Sequence, residues 1–145
     1  MNRFFSPSPL MPQEGLAIIR IIVGLFMIYH GVEIFDRDTM MGYTTWAQFK
    51  EMPSPTLIVY TGKAAELIAG ILFAIGWFTR LAALVLIVTM LYITFFVGHG
   101  KFWYDDQHPF LFVLLGFVFF FTGPGKWSVD GRMFSKKIKS VIHDR

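Results

Sequence analysis

Four long apolar stretches, parted by short islands of charge, constrain this chain more than anything else in its sequence. They run over about Gly15–Phe35, Leu57–Trp77, Arg80–Val97 and Pro109–Thr122. A bilayer core about 30 Å thick needs roughly 20 helical residues to cross it. Three of the runs reach that length. The fourth is short, and it is expected either to stand with little tilt or to extend upstream through Trp103 and Tyr104. Four such runs in 145 residues leave too little polar surface to cover them in water. Helices that are apolar all round belong in a core or in lipid. The expected fold class is therefore all-α: an integral membrane four-helix bundle, up-down, forming one domain over residues 1–145.

Apolar residues make up 54% of the chain, against about 45–50% in soluble domains, so their distribution carries the argument and their total does not. There is no cysteine, which excludes disulfide frameworks, thiolate metal sites and dithiol chemistry of the chain's own. Arg3 is followed by Phe-Phe-Ser-Pro-Ser-Pro, which breaks any early apolar run. No cleavable signal peptide is expected there.

Orientation follows from Lys and Arg in the short loops. With four spans, Arg3, Arg80, Lys126, Arg132, Lys136, Lys137, Lys139 and Arg145 share one side, and Arg37, Lys50 and Lys101 the other. Both termini are expected in the cytoplasm of a bacterial-type inner membrane. Trp77 and Trp127 would anchor the inner interface, and Trp46 and Trp103 the outer one. The net charge of +3 comes mostly from the C-terminal tail. Because the basic residues adjoin membrane segments, nucleic acid is not an expected partner. Phe134, Ile138, Val141 and Ile142 form an apolar stripe in that tail, with Lys136, Lys137 and Lys139 off it. An amphipathic helix over about 129–143 lying on anionic lipid is expected, with docking to a soluble partner as the alternative. The outer loop from Asp36 to Thr56 should carry a short interfacial helix around Thr44–Met52. On the second span Ala65 with Ala69, and Gly70 with Ala74, are small pairs four apart that let helix backbones approach in lipid.

The chemistry-bearing candidates are the ionisable residues inside the spans, because a charge at the bilayer centre costs about 2.5–3.5 kcal/mol on insertion scales and needs a partner or a purpose. His30 and Glu33 share one face near the outer end of the first span. Lys63 and Glu66 do so on the second, roughly 9 Å and 13–14 Å below Leu57 at about 1.5 Å per residue. His99, Asp105, Asp106 and His108 lie at the same outer mouth. One reading is a polar pocket in which His30 and Glu66 handle protons as catalytic groups. Glu33 and Lys63 would line it, and it would hold a quinone, the one cofactor these residues suggest. The other reading is a satisfied salt-bridge network of Glu33, Lys63 and Glu66. A metal site drawing on His30, His99 and His108 lacks any paired-ligand helix motif, and no metal is expected. Arg20, about 7–8 Å inside the first span, either snorkels or forms a structural ion pair with Asp130. No nucleophile triad, P-loop or dinucleotide fingerprint is present.

Several of these residues fall into a known order. Arg20 with Gly24 and then His30-Gly31 stand in the first span, and Gly62-Lys63-Ala64-Ala65-Glu66 with Gly70 in the second. Gly76-Trp77-Phe78-Thr79-Arg80 follows, and Gly123-Pro124-Gly125-Lys126-Trp127-Ser128-Val129-Asp130 closes the fourth. In this order and spacing, from about Leu16 to Met133, the chain resembles the DoxX family of small four-span membrane proteins. The family's pattern often has Lys where this chain has Glu33, so a contact made by that Lys is not transferred. The resemblance implies a quinone-linked membrane component of a redox complex, since the family is named for the membrane part of a thiosulfate:quinone oxidoreductase. Electrons would come from a membrane or peripheral protein partner. The similar fold of membrane chaperones implies the alternative, a non-catalytic subunit or assembly factor docking a partner protein. A homo-oligomer is compatible with either. A transporter is disfavoured, because four short helices without paired broken segments leave little room for alternating access.

Overall fold

The computed structural model describes residues 10–135. Arg3, Lys136, Lys137, Lys139, Arg145 and most of the expected amphipathic tail lie outside them; residues 129–135 are helical. Six helices make up the rest: α1 (Pro12–Gly31), α2 (Arg37–Thr44), α3 (Ala47–Lys50), α4 (Pro55–Ile75), α5 (Thr79–Tyr92) and α6 (Gln107–Thr122). A 3₁₀ turn over Val32–Phe35 prolongs α1, and a π turn over Ile93–Val97 prolongs α5.

The segments Pro12–Phe35, Pro55–Ile75 and Thr79–Val97 are long and apolar enough to cross a membrane. At 16 residues α6 is the shorter apolar helix, spanning about 24 Å. It does not extend through Trp103 and Tyr104, which lie in the turn before it. The start of α1 and the end of α6 meet where Lys126 N donates to Gln13 O at 3.0 Å. This end is called the base below, and the opposite end, roofed by α2 and α3, the mouth. The four long helices alternate in direction between base and mouth, as an up-down bundle requires. Only about a third of each long span is buried within the protein. Large apolar side chains such as Phe26, Leu57, Val88 and Phe121 point outward, the arrangement that lipid permits and water does not.

Local chemistry sets the helix limits. Pro12 and Pro55 sit in the first turns of α1 and α4, where a missing N–H is not needed. Gly76 ends α4 at φ 69°. There Trp77 N donates to Leu72 O and Gly76 N to Phe73 O, closing the helix through a left-handed residue that glycine adopts without strain. The outer loop differs from the expected single helix over Thr44–Met52. Asp36 caps α2 by accepting from Asp38 N and Thr39 N, so helix begins at Arg37, and extended Trp46 separates it from α3.

Packing in lipid has no hydrophobic drive between helices and rests on close fit. The tightest seam joins α1 to α4. A Cβ at Gly24 would stand 2.5 Å from Ala74 N, and one at Gly70 would stand 2.7 Å from Ile28 N. The Gly70–Ala74 pair is thus the contact surface that its spacing suggests. Across the bundle, Phe73 of α4 meets Phe119 of α6 edge to face at 5.3 Å. Val23, Met27, Leu86 and Val113 fill the space around this pair. Of the four long helices, α1 and α6 are neighbours that touch least.

Candidate functional site

At the base, the ends of α4 and α6 are tied by two charged side chains. Arg20 is wholly buried. It does not snorkel, and among the described residues it forms no ion pair with Asp130. Its Nη1 donates to Pro124 O and its Nη2 to Trp127 O, both at 3.0 Å. The turn at Gly76 presses on the guanidinium, for a Cβ there would overlap Nη1. Asp130 instead accepts from Phe78 N, Thr79 N and the Thr79 hydroxyl, each at 2.9 Å. A carboxylate in this position meets the unpaired N–H groups and the positive end of α5. The reason for the correction is geometric: backbone carbonyls after α6 take both Arg20 Nη groups and the N–H groups at the start of α5 take Asp130, while the buried Arg20 Nε has no partner among the described residues. The two sequence motifs, 76–80 and 123–130, thereby form one clasp, reinforced by Asp130 N on Gly76 O at 3.0 Å.

The mouth holds the second charged cluster. Lys63 Nζ lies 2.8 Å from Glu33 Oε2 and 3.0 Å from Glu66 Oε2, and it also donates to His30 O at 3.3 Å. Tyr43, from α2, donates its phenol to Glu33 Oε2 at 2.6 Å, and its ring lies 5.1 Å from the ammonium. Burial, and then the Glu33 carboxylate, push the Tyr43 phenol above its usual range. His30 Nδ1 is 3.8 Å from Glu33 Oε1, too long for a hydrogen bond. Its ring meets that of His108 edge to face at 6.4 Å. Glu66 is almost fully buried, and among the described residues no donor reaches its Oε1.

These groups border a cavity of about 260 Å³ in the mouth half of the bundle. Glu66, Lys63, His30, His108 and Tyr43 supply its polar edge, and Trp46, Phe49, Val59, Met90 and Tyr92 most of its apolar wall. An ammonium has three N–H donors. Lys63 donates to Glu66 and the His30 carbonyl and pairs with Glu33, so it fixes both carboxylates. The groups free to act on a molecule in the cavity are Glu66 Oε1 and the two imidazoles.

The structure brings His30, Glu33, Lys63 and Glu66 together as their spacing on two helices suggests. It adds His108 and separates His99. Asp106 accepts from His99 N and Lys101 N, both at 2.9 Å, which makes it a brace for the 98–106 loop. Among the described residues no group of three or more His, Asp or Glu is placed to hold a metal.

The clasp and the mouth cluster bring together residues far apart in the chain. The DoxX family profile matches residues 15–99. The chain belongs to the DoxX family. It is similar to an uncharacterized protein of Haemophilus influenzae, 30% identical over 139 residues covering 83% of this chain and 92% of the relative. It is also similar to an uncharacterized membrane protein of Mycobacterium tuberculosis, 28% identical over 129 residues, 79% of this chain and 78% of the relative. No solved structure matches. In this DoxX-family chain the profile covers α1 through the π turn, and so includes every residue of the mouth cluster except His108. Tyr43 is the functional neighbour that sequence reasoning missed. It sits ten residues beyond Glu33 in an outer loop, and only the fold of α2 back over the mouth brings it there.

Proposed function

We propose that this DoxX-family protein is a quinone-binding membrane component of a redox complex, set in a bacterial-type cytoplasmic membrane with its base toward the cytoplasm. The observation that carries the reading is the juxtaposition of the donor-free Oε1 of Glu66 with His30 and His108 on one largely apolar cavity. Reduction of a quinone to its quinol takes two electrons and two protons. Electrons would come from a partner protein. Protons would reach the two ring oxygens through Glu66 and His30, and Lys63 would hold Glu66 in place. Apolar walls with a few convergent polar groups are what such ligands require. The excess of Lys and Arg at the base supports the orientation.

The pairing of Lys63 with both carboxylates supports a second reading, in which the network only locks α1 to α4 and the chain is a non-catalytic subunit or assembly factor. One experiment separates the two. The chain is purified in mild detergent and its lipid extract analysed for quinone by mass spectrometry, alongside folded Glu66→Gln and His30→Ala variants. Stoichiometric quinone, lost in both variants while helicity and melting hold, is the expected result. A quinone-free protein with a copurifying partner would move the assignment to the docking role.

A further inference from the structure

The seam between α1 and α6 carries an apolar groove from Ile19 to His30, and this groove leads to the polar cavity. Ile19, Ile22 and Phe26 form one wall, Leu111 and Leu115 the other, and Val23 and Phe112 the floor of a groove of about 390 Å³. From Ile19 to His30 this groove runs roughly 16 Å along α1, at about 1.5 Å per residue. Its walls are half exposed, Ile22 at 45% and Leu111 at 48%, whereas Val23 and Phe112 are buried. The groove therefore opens sideways, on the lipid-facing side of the bundle. Its mouth end is closed by His30 and His108, and the same two imidazoles line the cavity that holds Glu66. On the mouth side, Tyr43 of α2 and Trp46 just before α3 line the cavity.

We infer that the α1–α6 groove is the binding site for the isoprenoid tail of a lipid-borne quinone, and that the ring enters the cavity from the bilayer by passing His30 and His108. The inference rests on the quinone reading of the mouth cavity. Its own warrant is continuity: one apolar channel open to lipid and one polar chamber share a wall of two side chains. A long apolar tail fits the first, and a ring with two carbonyl oxygens fits the second.

The test compares two ligands on the full-length protein in detergent: a quinone with a long isoprenoid tail and a tail-less benzoquinone. Ile22→Trp and Leu111→Trp fill the groove from opposite walls. In each, affinity for the tailed quinone should fall roughly tenfold or more, since several buried methylenes are lost, while the tail-less ring binds as before. Ile22→Cys guards against misfolding. The chain has no other cysteine, so a bulky apolar maleimide can be attached after folding, and it should reproduce the loss. Affinity for the tailed quinone unchanged from the wild type in all three blocked forms overturns the groove as tail site and leaves the cavity reading standing. So does recovery of phospholipid acyl chains alone from the groove by photo-crosslinking from Ile22. If the unmodified protein binds neither ligand, the quinone reading falls and takes this inference with it.

Discussion

Lys63 on α4 and Glu33 at the end of α1 form an ion pair at 2.8 Å, and the same ammonium reaches Glu66 one helical turn away at 3.0 Å. One cation therefore stands between two carboxylates in a part of the protein largely sheltered from water. Removing it leaves two like charges close together without their shared counter-ion. Lys63→Met should destabilise the protein by about 3–5 kcal/mol, the cost of an uncompensated buried charge. The double variant Lys63→Met/Glu66→Leu should recover most of that loss. Unfolding in mixed detergent, followed by circular dichroism, gives both numbers. A single-variant loss below about 1 kcal/mol would mean that the pair is screened like a surface bridge.

The α1–α4 seam depends on an absent side chain. Gly24 has Ala74 N, Ala74 Cα and Gly70 O within 2.8 Å of where its Cβ would lie. All three are backbone atoms, which cannot step aside without moving a helix. Gly24→Leu should cost at least about 2–3 kcal/mol by overpacking and should pull His30 and Glu33 away from Lys63. Gly15→Ala is the control, for nothing lies within 4 Å of its Cβ position. Its stability should be unchanged or slightly raised. A tolerated Gly24→Leu with unaltered melting would contradict the close approach.

The parts of this fold written in local signals could be read from the sequence, and those made by tertiary return could not. The three long spans follow from run length alone, and the shorter fourth helix from its apolar composition. The mouth cluster follows from paired spacings, His30 with Glu33 and Lys63 with Glu66, because three residues along a helix return to the same face. Arg20 illustrates the limit. A buried guanidinium in a span calls for a partner, and Asp130 is a reasonable acidic candidate. Its actual acceptors are the carbonyls of Pro124 and Trp127, and carbonyls leave no trace in residue identity. The same holds for Asp106, which serves backbone N–H groups, and for Tyr43, whose place depends on how α2 folds over the mouth. The helix break at Trp46 was equally hidden, since neither Gly nor Pro marks it.

The clasp at the base makes a separate prediction. Asp130 receives three hydrogen bonds at the start of α5, and Asp130→Ala would leave those donors unmet. A loss of about 2 kcal/mol is expected, with a smaller loss for Asp130→Asn, which keeps an acceptor. Arg20→Lys should lose a similar amount, because a lysine cannot direct two fixed donors at two carbonyls. The two groups act on one clasp without touching, so the double variant should lose less than the sum of the singles. Strict additivity in a double-mutant cycle would show that the two turns are held independently.

Tyr43 ties the roof of the mouth to the charged cluster, and its titration reports on that link. The phenol is pushed up first by burial and then by the Glu33 carboxylate to which it donates. Its ionised form would face that carboxylate, so the folded state holds the proton more tightly than the unfolded chain does. The sign follows: Tyr43 contributes stability that is complete below the ordinary tyrosine value of about 10, and the contribution is lost as pH rises through the raised folded value. The tyrosinate absorbance of the wild type minus that of Tyr43→Phe isolates this residue from the other tyrosines. Its difference titration should lie above about 10 in the folded protein and move down in Glu33→Gln, where the carboxylate is gone. A midpoint at or below the ordinary value, unmoved by Glu33→Gln, would mean that α2 does not close over Glu33.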